Sequence, residues 1–280
     1  MHPQQESSRA AHHGTMPETA SARDDALQAE RPHRLRSCTM RRLAGVQELL
    51  DGPLDDPAAL RGNLRDLAWV NRRLGGAAAS RRALARLLDG RGDPATLLDV
   101  GTGGADIPLA LLAAASREGR SLRITAVDSR AEVLAAARDV DARVGTTPGL
   151  ELMVGDGRSL PWPDRSFDVV HASLLVHHLE PQEAVAFLAE AARLARRGVI
   201  VNDLVRARHH WLGTRVLFAA TTRNRYTRHD GPMSVRRAYT RVELRALLAA
   251  GGLRPIAEVA AFAGHRVAIA AVRLPRPDAS

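Results

Sequence analysis

The chain has 280 residues, 45% of them hydrophobic, and a formal net charge of +9 at pH 7. Its single cysteine excludes a disulfide framework and a cysteine-rich zinc site, and no apolar run reaches the roughly 18 residues of a membrane span. All 40 basic residues are arginine, a bias typical of coding composition, so charge alone does not predict a nucleic-acid partner. We expect a cytoplasmic protein with one large domain, accessory segments and no membrane partner.

The N-terminal part of the chain predicts a tail followed by helices. Residues 1–42 are polar and charged without apolar periodicity, which is typical of disorder. Over 43–92 apolar residues recur at helical spacing, which predicts a helical cap. Before the glycine pair that breaks this pattern, Asn71 and Arg72 are candidates for closing over a ligand and meeting its carboxylate. A solvated helix end is the alternative.

A glycine-rich turn follows the first strong apolar run. Asp99 ends that run, and Gly101 and Gly103 flank Thr102 before a segment of helical character begins. Glycine permits positive φ and lets a ligand approach the main chain, and open α/β sheets bind ligands where strands end. A dinucleotide site would need glycine at Asp106, where a carboxylate would repel a pyrophosphate.

The acid-x-Gly-x-Gly pattern that begins at Asp99 resembles motif I of the class I S-adenosylmethionine (SAM) methyltransferases, although Ala105 stands where many members have a third glycine. The run from Gly155-Asp156 through Leu160-Pro161-Trp162-Pro163 to Phe167-Asp168 is similar to the second and fourth motifs of the same family. The resemblance covers roughly residues 95–205. It implies an α/β fold, a Rossmann-like seven-stranded open sheet with a helical N-terminal cap and a lid after the fifth strand, and SAM as the cofactor. The SAM-binding domain would then span 93–273, followed by a polar tail at 274–280.

Several residues are predicted to hold the cofactor. Asp128 ends the second strand, where a carboxylate suits two ribose hydroxyls, and Ser129 can cap the next helix. The resemblance implies that Asp156 accepts from the adenine amino group and that the adjacent backbone meets the ring. The full predicted set is Arg72, Asp99, Gly101, Thr102, Gly103, Asp106, Asp128, Ser129, Asp156, Gly157 and Ser173.

The loop after the fourth strand carries His177 and His178. The resemblance places the transferred methyl group here, and many small-molecule members carry a similar histidine pair. Because an unperturbed imidazole titrates near neutrality, either side chain can serve as a general base. The alternative is that His178 packs structurally while His177 faces solvent. We predict no metal requirement, since no cluster of carboxylates has ligand spacing in the sequence.

The predicted lid at 206–241 holds nine arginines and a single acid, Asp230, which with Gly231-Pro232-Met233 reads as a turn. Such a lid suits an anionic or carrier-bound acceptor, and a solvated helical face is the alternative. The residues predicted to contact substrate are Asn202 and Asp203, which end the fifth strand, together with Arg236 and Tyr239 of the lid. Asn202 and Asp203 could equally cap the turn.

The implied function is methyl transfer from SAM to a small molecule, with O-methylation of an aromatic or polyketide-type secondary metabolite preferred. C-methylation of a quinone-like precursor is the alternative. RNA methylation is less favoured, because aromatic residues make up only 3% of the chain and the loop lacks an Asn/Asp-Pro-Pro-aromatic signature. A non-catalytic SAM-binding protein and a dehydrogenase remain open at this point, as does the oligomeric state.

Overall fold

The computed structural model describes residues 40–88 and 95–275. The predicted N-terminal tail as far as residue 39, residues 89–94 and the last five residues of the chain lie outside the described residues. Within the described ranges no helix is both long and apolar enough to cross a membrane.

A seven-stranded sheet with the order β3-β2-β1-β4-β5-β7-β6 forms the centre of the fold. Its first five strands pair in parallel, whereas β7 runs antiparallel to both β5 and β6. The strands are β1 (Ala95–Val100), β2 (Leu122–Asp128), β3 (Leu150–Val154), β4 (Phe167–Ser173), β5 (Ala195–Leu204), β6 (Leu253–Ala261) and β7 (Arg266–Arg273). The strand order reverses between β1 and β4, which makes their carboxyl ends the topological switch point. The predicted Rossmann-like sheet is confirmed.

Helices cover both faces of this sheet. They are α1 (Pro57–Arg73), α2 (Gly76–Leu88), α3 (Asp106–Arg117), α4 (Ala131–Val140), α5 (Arg143–Thr146), α6 (Pro181–Leu194), α7 (Arg208–Thr221), α8 (Arg225–Arg237) and α9 (Arg241–Ala250). Leu97 and Leu98 of β1 are both fully buried, but they belong to different core clusters. Leu97 packs in the cluster that contains Leu111 of α3, and Leu98 in the one that contains Phe187 of α6. Because β1 is buried on both faces, apolar residues follow one another directly in its sequence.

The start of α4 differs from the prediction. Ser129 does not cap this helix, which begins at Ala131 with Arg130 at the N-cap position. The Asp128 carboxylate accepts the Arg130 amide at 3.1 Å just before the helix begins, and this helix has no side-chain cap.

The segment after β5 forms two helices, α7 and α8, and the predicted turn at Asp230 is wrong. Helix α8 continues through Pro232. Asp230 is buried, and its carboxylate accepts the backbone N–H groups of Leu49 and Leu50 at 2.9 and 3.1 Å. At Gly231 a Cβ would collide with the Phe218 ring. These packing contacts outweigh the local turn preference of the sequence.

Candidate cofactor and acceptor site

The turn after β1 leaves its main chain open to a ligand. Gly101 and Gly103 adopt φ values of 70° and 54°, which favour glycine. The backbone N–H groups of Gly101 and Thr102 donate to the Val127 carbonyl at 2.8 and 3.0 Å, which anchors the turn to β2. A Cβ at Gly101 would lie 3.0 Å from the Leu175 side chain, whereas a Cβ at Gly103 would have no neighbour within 4 Å. A bound molecule can therefore approach the backbone at Gly103.

Asp128 is hydrogen-bonded to this turn. Its carboxylate accepts the N–H of Gly103 at 3.0 Å and that of Arg130 at 3.1 Å. Burial raises the pKa of Asp128, and the two amide donors oppose that shift. A carboxylate has about four lone-pair sites, so acceptor capacity remains for a ligand hydroxyl.

A buried polar network connects Asp106 to the opposite part of the sheet. Asp106 accepts from the Asn71 side-chain amide at 3.0 and 3.2 Å, and the Asn71 oxygen accepts from Arg266 of β7. Arg266 also donates to the Asn202 side-chain oxygen at 2.6 Å and to the Ser173 hydroxyl. Burial lowers the pKa of Arg266 to about 10, with nearby carboxylates opposing the shift. The network thus fixes α1, α3, β4 and β5 around one buried cation.

Beside the turn lies a cavity of about 720 Å³. It is bounded by helices α1, α7 and α8 and by the 3-10 turn Val176–His178. Its wall is mostly apolar and includes Leu67, Val70, Leu74, Leu217, Phe218 and Val235. Leu174, at the end of β4, also lines it, and the next residue, Leu175, lies against Gly101. These two consecutive leucines therefore place the cavity next to the glycine turn.

His177 lines the cavity and is buried. Its Nδ1 lies 2.6 Å from Oδ1 of Asp203, and its backbone N–H donates to Oδ2 of the same carboxylate at 3.0 Å. Burial opposes ionisation of Asp203, but the contacts with His177 hold its pKa below the usual value. Because an ionised carboxylate only accepts, Nδ1 carries the proton and the lone pair of neutral His177 is on Nε2.

His178 and Glu48 complete the polar part of the cavity wall. Nδ1 of His178 lies 3.0 Å from the Asp51 carboxylate. Nε2 of His177 and Nε2 of His178 each lie 3.9 Å from one oxygen of the buried Glu48 carboxylate. Burial raises the pKa of Glu48 to about 7, although His178 and Arg237 favour its ionised form. Three groups that can exchange a proton thus meet at the cavity.

Comparison with known proteins identifies a domain that includes the glycine turn and the two histidines. Residues 98–201 match the family model described as a methyltransferase domain. Over these residues the chain carries a SAM-dependent methyltransferase domain. Over 127 residues it is 34% identical to phosphatidylethanolamine N-methyltransferase of Cereibacter sphaeroides, an alignment that covers 45% of this chain and 58% of that relative. The chain therefore spans little more than half the length of this curated relative.

Solved structures share the methyltransferase fold. Human N-acetylserotonin methyltransferase in complex with SAM aligns with a TM-score of 0.59 at 14% identity, over 81% of this chain and 61% of that one. The mitomycin 7-O-methyltransferase MmcR aligns with a TM-score of 0.57 at 24% identity, over 78% and 58%. A SAM-dependent methyltransferase from Aquifex aeolicus gives 0.53 at 20% identity, over 77% and 97%. At these identities the likeness shows the fold. The match of residues 98–201 to a methyltransferase domain favours methyl transfer over the dehydrogenase alternative.

The turn of this methyltransferase domain fits SAM, the cofactor of the family. Gly103 leaves its main chain open, and the buried Thr102 hydroxyl has no hydrogen-bond partner within the described part of the chain. Asp128 stands beside the turn with acceptor capacity for hydroxyl groups. The carboxylate at Asp106, where a dinucleotide turn needs glycine, suits a ligand without phosphates better than a dinucleotide.

Asp99 has a supporting role in this domain. Its carboxylate lies 2.6 Å from Nδ1 of His171, the residue paired with it on β4, and Nε2 of His171 lies 2.7 Å from the Ser80 hydroxyl. All three side chains are buried. Asp99 thus belongs to a bridge between β1, β4 and α2, and its contact with the cofactor stays a prediction.

Other predicted cofactor residues lie at the surface. Arg72 and Ser129 are exposed, and Asn71 rather than Arg72 enters the buried network. The Asp156 carboxylate is half-exposed and is paired through both oxygens with Arg158 at 2.8 and 3.0 Å. Its contact with adenine stays a prediction. Gly157 allows close packing, because a side chain there would collide with Val100.

The residues predicted to contact substrate do not line the cavity. Asn202 donates to the Gly76 carbonyl at 2.8 Å and to the Ser80 hydroxyl at 2.6 Å, while Asp203 holds His177. The Tyr239 hydroxyl donates to the Leu179 carbonyl at 2.7 Å, and Arg236 is exposed. These side chains are buried outside the cavity wall or face solvent, and their contact with substrate stays a prediction.

The arginines of the segment 206–241 are also absent from the cavity wall, as far as the described residues show. Six of them are exposed: Arg208, Arg215, Arg223, Arg225, Arg228 and Arg236. Arg206 and Arg237 are buried in ion pairs with Glu243 and Asp51. None of these nine guanidinium groups therefore stands in the cavity wall to pair with an anionic acceptor.

Sequence reasoning missed Glu48 and Arg266. Glu48 lies far from the histidines in the chain, and Arg266 is the first residue of β7, so neither has a local signal that points to this site. The ligand atoms of Glu48, His177 and His178 lie within 4.8 Å of one another, a spacing that a metal ion could use. Arg237 lies 3.6 Å from Glu48, yet burial raises the pKa of this carboxyl to about 7, which favours a proton-handling role. The absence of a metal requirement stays a prediction.

Proposed function

We propose that this protein transfers the methyl group of SAM to a hydroxyl oxygen of a small, mostly apolar acceptor bound in the cavity. The observation that carries the proposal is the Asp203–His177 pair at the wall of an apolar cavity next to the glycine turn. A buried carboxylate that orients an imidazole is the arrangement of a general base. The preferred acceptor is an aromatic or polyketide-type metabolite with a phenolic hydroxyl.

In this proposal the main chain at Gly101–Gly103 and the Asp128 carboxylate hold SAM, which supplies an electrophilic methyl group when bound. The cavity orients the acceptor and excludes water. Nε2 of His177 accepts the hydroxyl proton as the new oxygen–carbon bond forms, and the sulfur–methyl bond breaks. Asp203 stabilises the resulting imidazolium. Residues 43–92 then act as a cap, 93–273 as the SAM-binding domain and 206–241 as the lid over the acceptor.

C-methylation of a quinone-like precursor is the second candidate, and the same base favours it. A phenol becomes nucleophilic at ring carbon as well as at oxygen once its proton is removed, so His177 would serve either reaction. The position of the methyl group in the product separates the two.

The acceptor class is tested by turnover of the full chain with SAM that carries a labelled methyl group. Acceptors are hydroxylated aromatics with and without alkyl chains, quinols, phosphatidylethanolamine vesicles and RNA. Phosphatidylethanolamine is included because the bacterial relative is named for it. An O-methylated phenol supports the proposal, whereas exclusive labelling of the lipid amine or of RNA overturns it. Tight SAM binding without transfer to any acceptor would favour a non-catalytic protein.

A further inference from the structure

Three apolar side chains stand at the rim of the cavity. Leu212 and Val216 of α7, together with Phe262 of the 3-10 turn Phe262–Gly264, line the cavity. They are nevertheless 55%, 61% and 62% exposed. Residues four apart share one face of a helix, so Leu212 and Val216 lie side by side. Exposed apolar side chains that cluster at the entrance of a cavity mark an interaction surface.

Arginines flank these apolar side chains. Arg208 lies four residues before Leu212, and Arg215 lies three residues after it. Both arginines are therefore on the same exposed face of α7 as Leu212. Arg228 of α8 reaches across to α7 and donates to the Ala219 carbonyl at 2.8 Å. Asp230 is the only acid between 206 and 241, and it is buried. The surface is therefore apolar at its centre and cationic around it.

We infer that this rim surface, formed by Leu212, Val216 and Phe262 with Arg208, Arg215 and Arg228, docks onto an anionic lipid bilayer. The apolar side chains enter the boundary between headgroups and acyl chains, while the guanidinium groups pair with lipid phosphates. Binding is peripheral and requires no spanning helix, although it departs from the expectation of no membrane partner. If the proposed function holds, the cavity mouth faces the layer in which an apolar acceptor dissolves.

The composition of the surface favours a bilayer over other occupants. A second copy of this chain would bring two arginine rims together, and like charges repel. An acidic protein would pair with Arg208 and Arg215 but has no inherent need for the protruding apolar side chains. A lipid interface accommodates the protruding apolar side chains and also pairs with the surrounding arginines.

Co-sedimentation of the full chain with vesicles tests the inference without turnover or SAM, so its outcome is independent of the proposed function. The vesicles are phosphatidylcholine alone or phosphatidylcholine mixed with phosphatidylglycerol. We expect binding to the anionic vesicles that weakens as salt is raised. The double variant Leu212→Ser/Val216→Ser should lower the partition coefficient about tenfold. Arg215→Gln should lower it about fivefold.

Matched controls are available elsewhere on the surface. Val242 of α9 is 73% exposed, and Arg117 of α3 is exposed, yet neither lines the cavity. Val242→Ser and Arg117→Gln should bind vesicles like wild type. Circular dichroism checks that each variant is folded. Absence of binding to anionic vesicles at low salt overturns the inference. Binding that the Leu212/Val216 pair does not affect overturns it too, since attraction would then be electrostatic towards any polyanion, an acidic protein included.

Discussion

Asp203 holds His177 through two contacts, one to the imidazole Nδ1 at 2.6 Å and one to the backbone N–H at 3.0 Å. The carboxylate therefore fixes both the ring orientation and the tautomer, and it leaves Nε2 as the basic nitrogen. In the proposed reaction this pair determines whether the acceptor hydroxyl can lose its proton.

Asp203→Asn should lower the methyl-transfer rate about 100-fold or more, because an amide can donate to Nδ1 and stabilise the wrong tautomer. SAM affinity should stay within a factor of about two, because the carboxylate lies outside the glycine turn. Single-turnover rates and calorimetric titration of SAM measure the two effects separately. Equal rates for variant and wild type would contradict the role of this pair.

Asp128→Ala should weaken SAM binding about 10- to 100-fold, since hydrogen bonds to a charged group contribute about 1.5–3 kcal/mol. Asp139→Ala is the matched control, because Asp139 is an exposed carboxylate on α4. Isothermal titration calorimetry with SAM and, in parallel, with NAD gives both affinities. Unchanged SAM affinity in Asp128→Ala would move the cofactor site away from this turn.

Glu48→Gln should alter the pH dependence of stability. Burial raises the pKa of Glu48 from 4.5 to about 7, so the folded protein retains this proton where the unfolded chain loses it. The resulting stabilisation is complete below pH 4.5 and is lost as the pH rises through about 7, by up to about 3 kcal/mol. Urea unfolding between pH 5 and pH 8 measures the difference between wild type and variant. A difference that is flat with pH would show that Glu48 is ionised throughout this range.

Arg266→Leu should lower the free energy of unfolding by about 3–5 kcal/mol, because it leaves neighbouring carboxylates buried without their cation. The control is Arg254→Leu on β6, where the side chain is exposed. Thermal and urea unfolding provide the comparison. Equal destabilisation by both substitutions would mean that the buried network contributes little.

The sheet and the glycine turn could be predicted from the sequence because their signals are local. Leu97 and Leu98 are buried on opposite faces of β1, and Gly101 and Gly103 adopt the positive φ values that favour glycine. It is harder to predict which of two adjacent residues on a helix is buried. Asn71 and Arg72 differ by about 100° around the axis of α1, and only the packing of that helix decides which one is buried.

The cavity wall could not be predicted, since its polar groups come from distant parts of the chain. Glu48 meets His177 and His178 only because the segment before α1 folds over the loop after β4. The arginines of 206–241 were visible as a charge excess, but their direction depends on how α7 and α8 pack. Tertiary contacts turned most of these arginines outward and left an apolar interior.

The central claim is most directly tested by the chemical position of the methyl group in the product. Full-length protein is incubated with SAM labelled with carbon-13 in the methyl group and with hydroxylated aromatic acceptors, and the product is examined by nuclear magnetic resonance. The account predicts a carbon-13 resonance of a methoxy group that disappears in His177→Gln, while SAM binding by that variant is retained. A methyl group on carbon or nitrogen, or a methoxy product formed equally fast by His177→Gln, would contradict it.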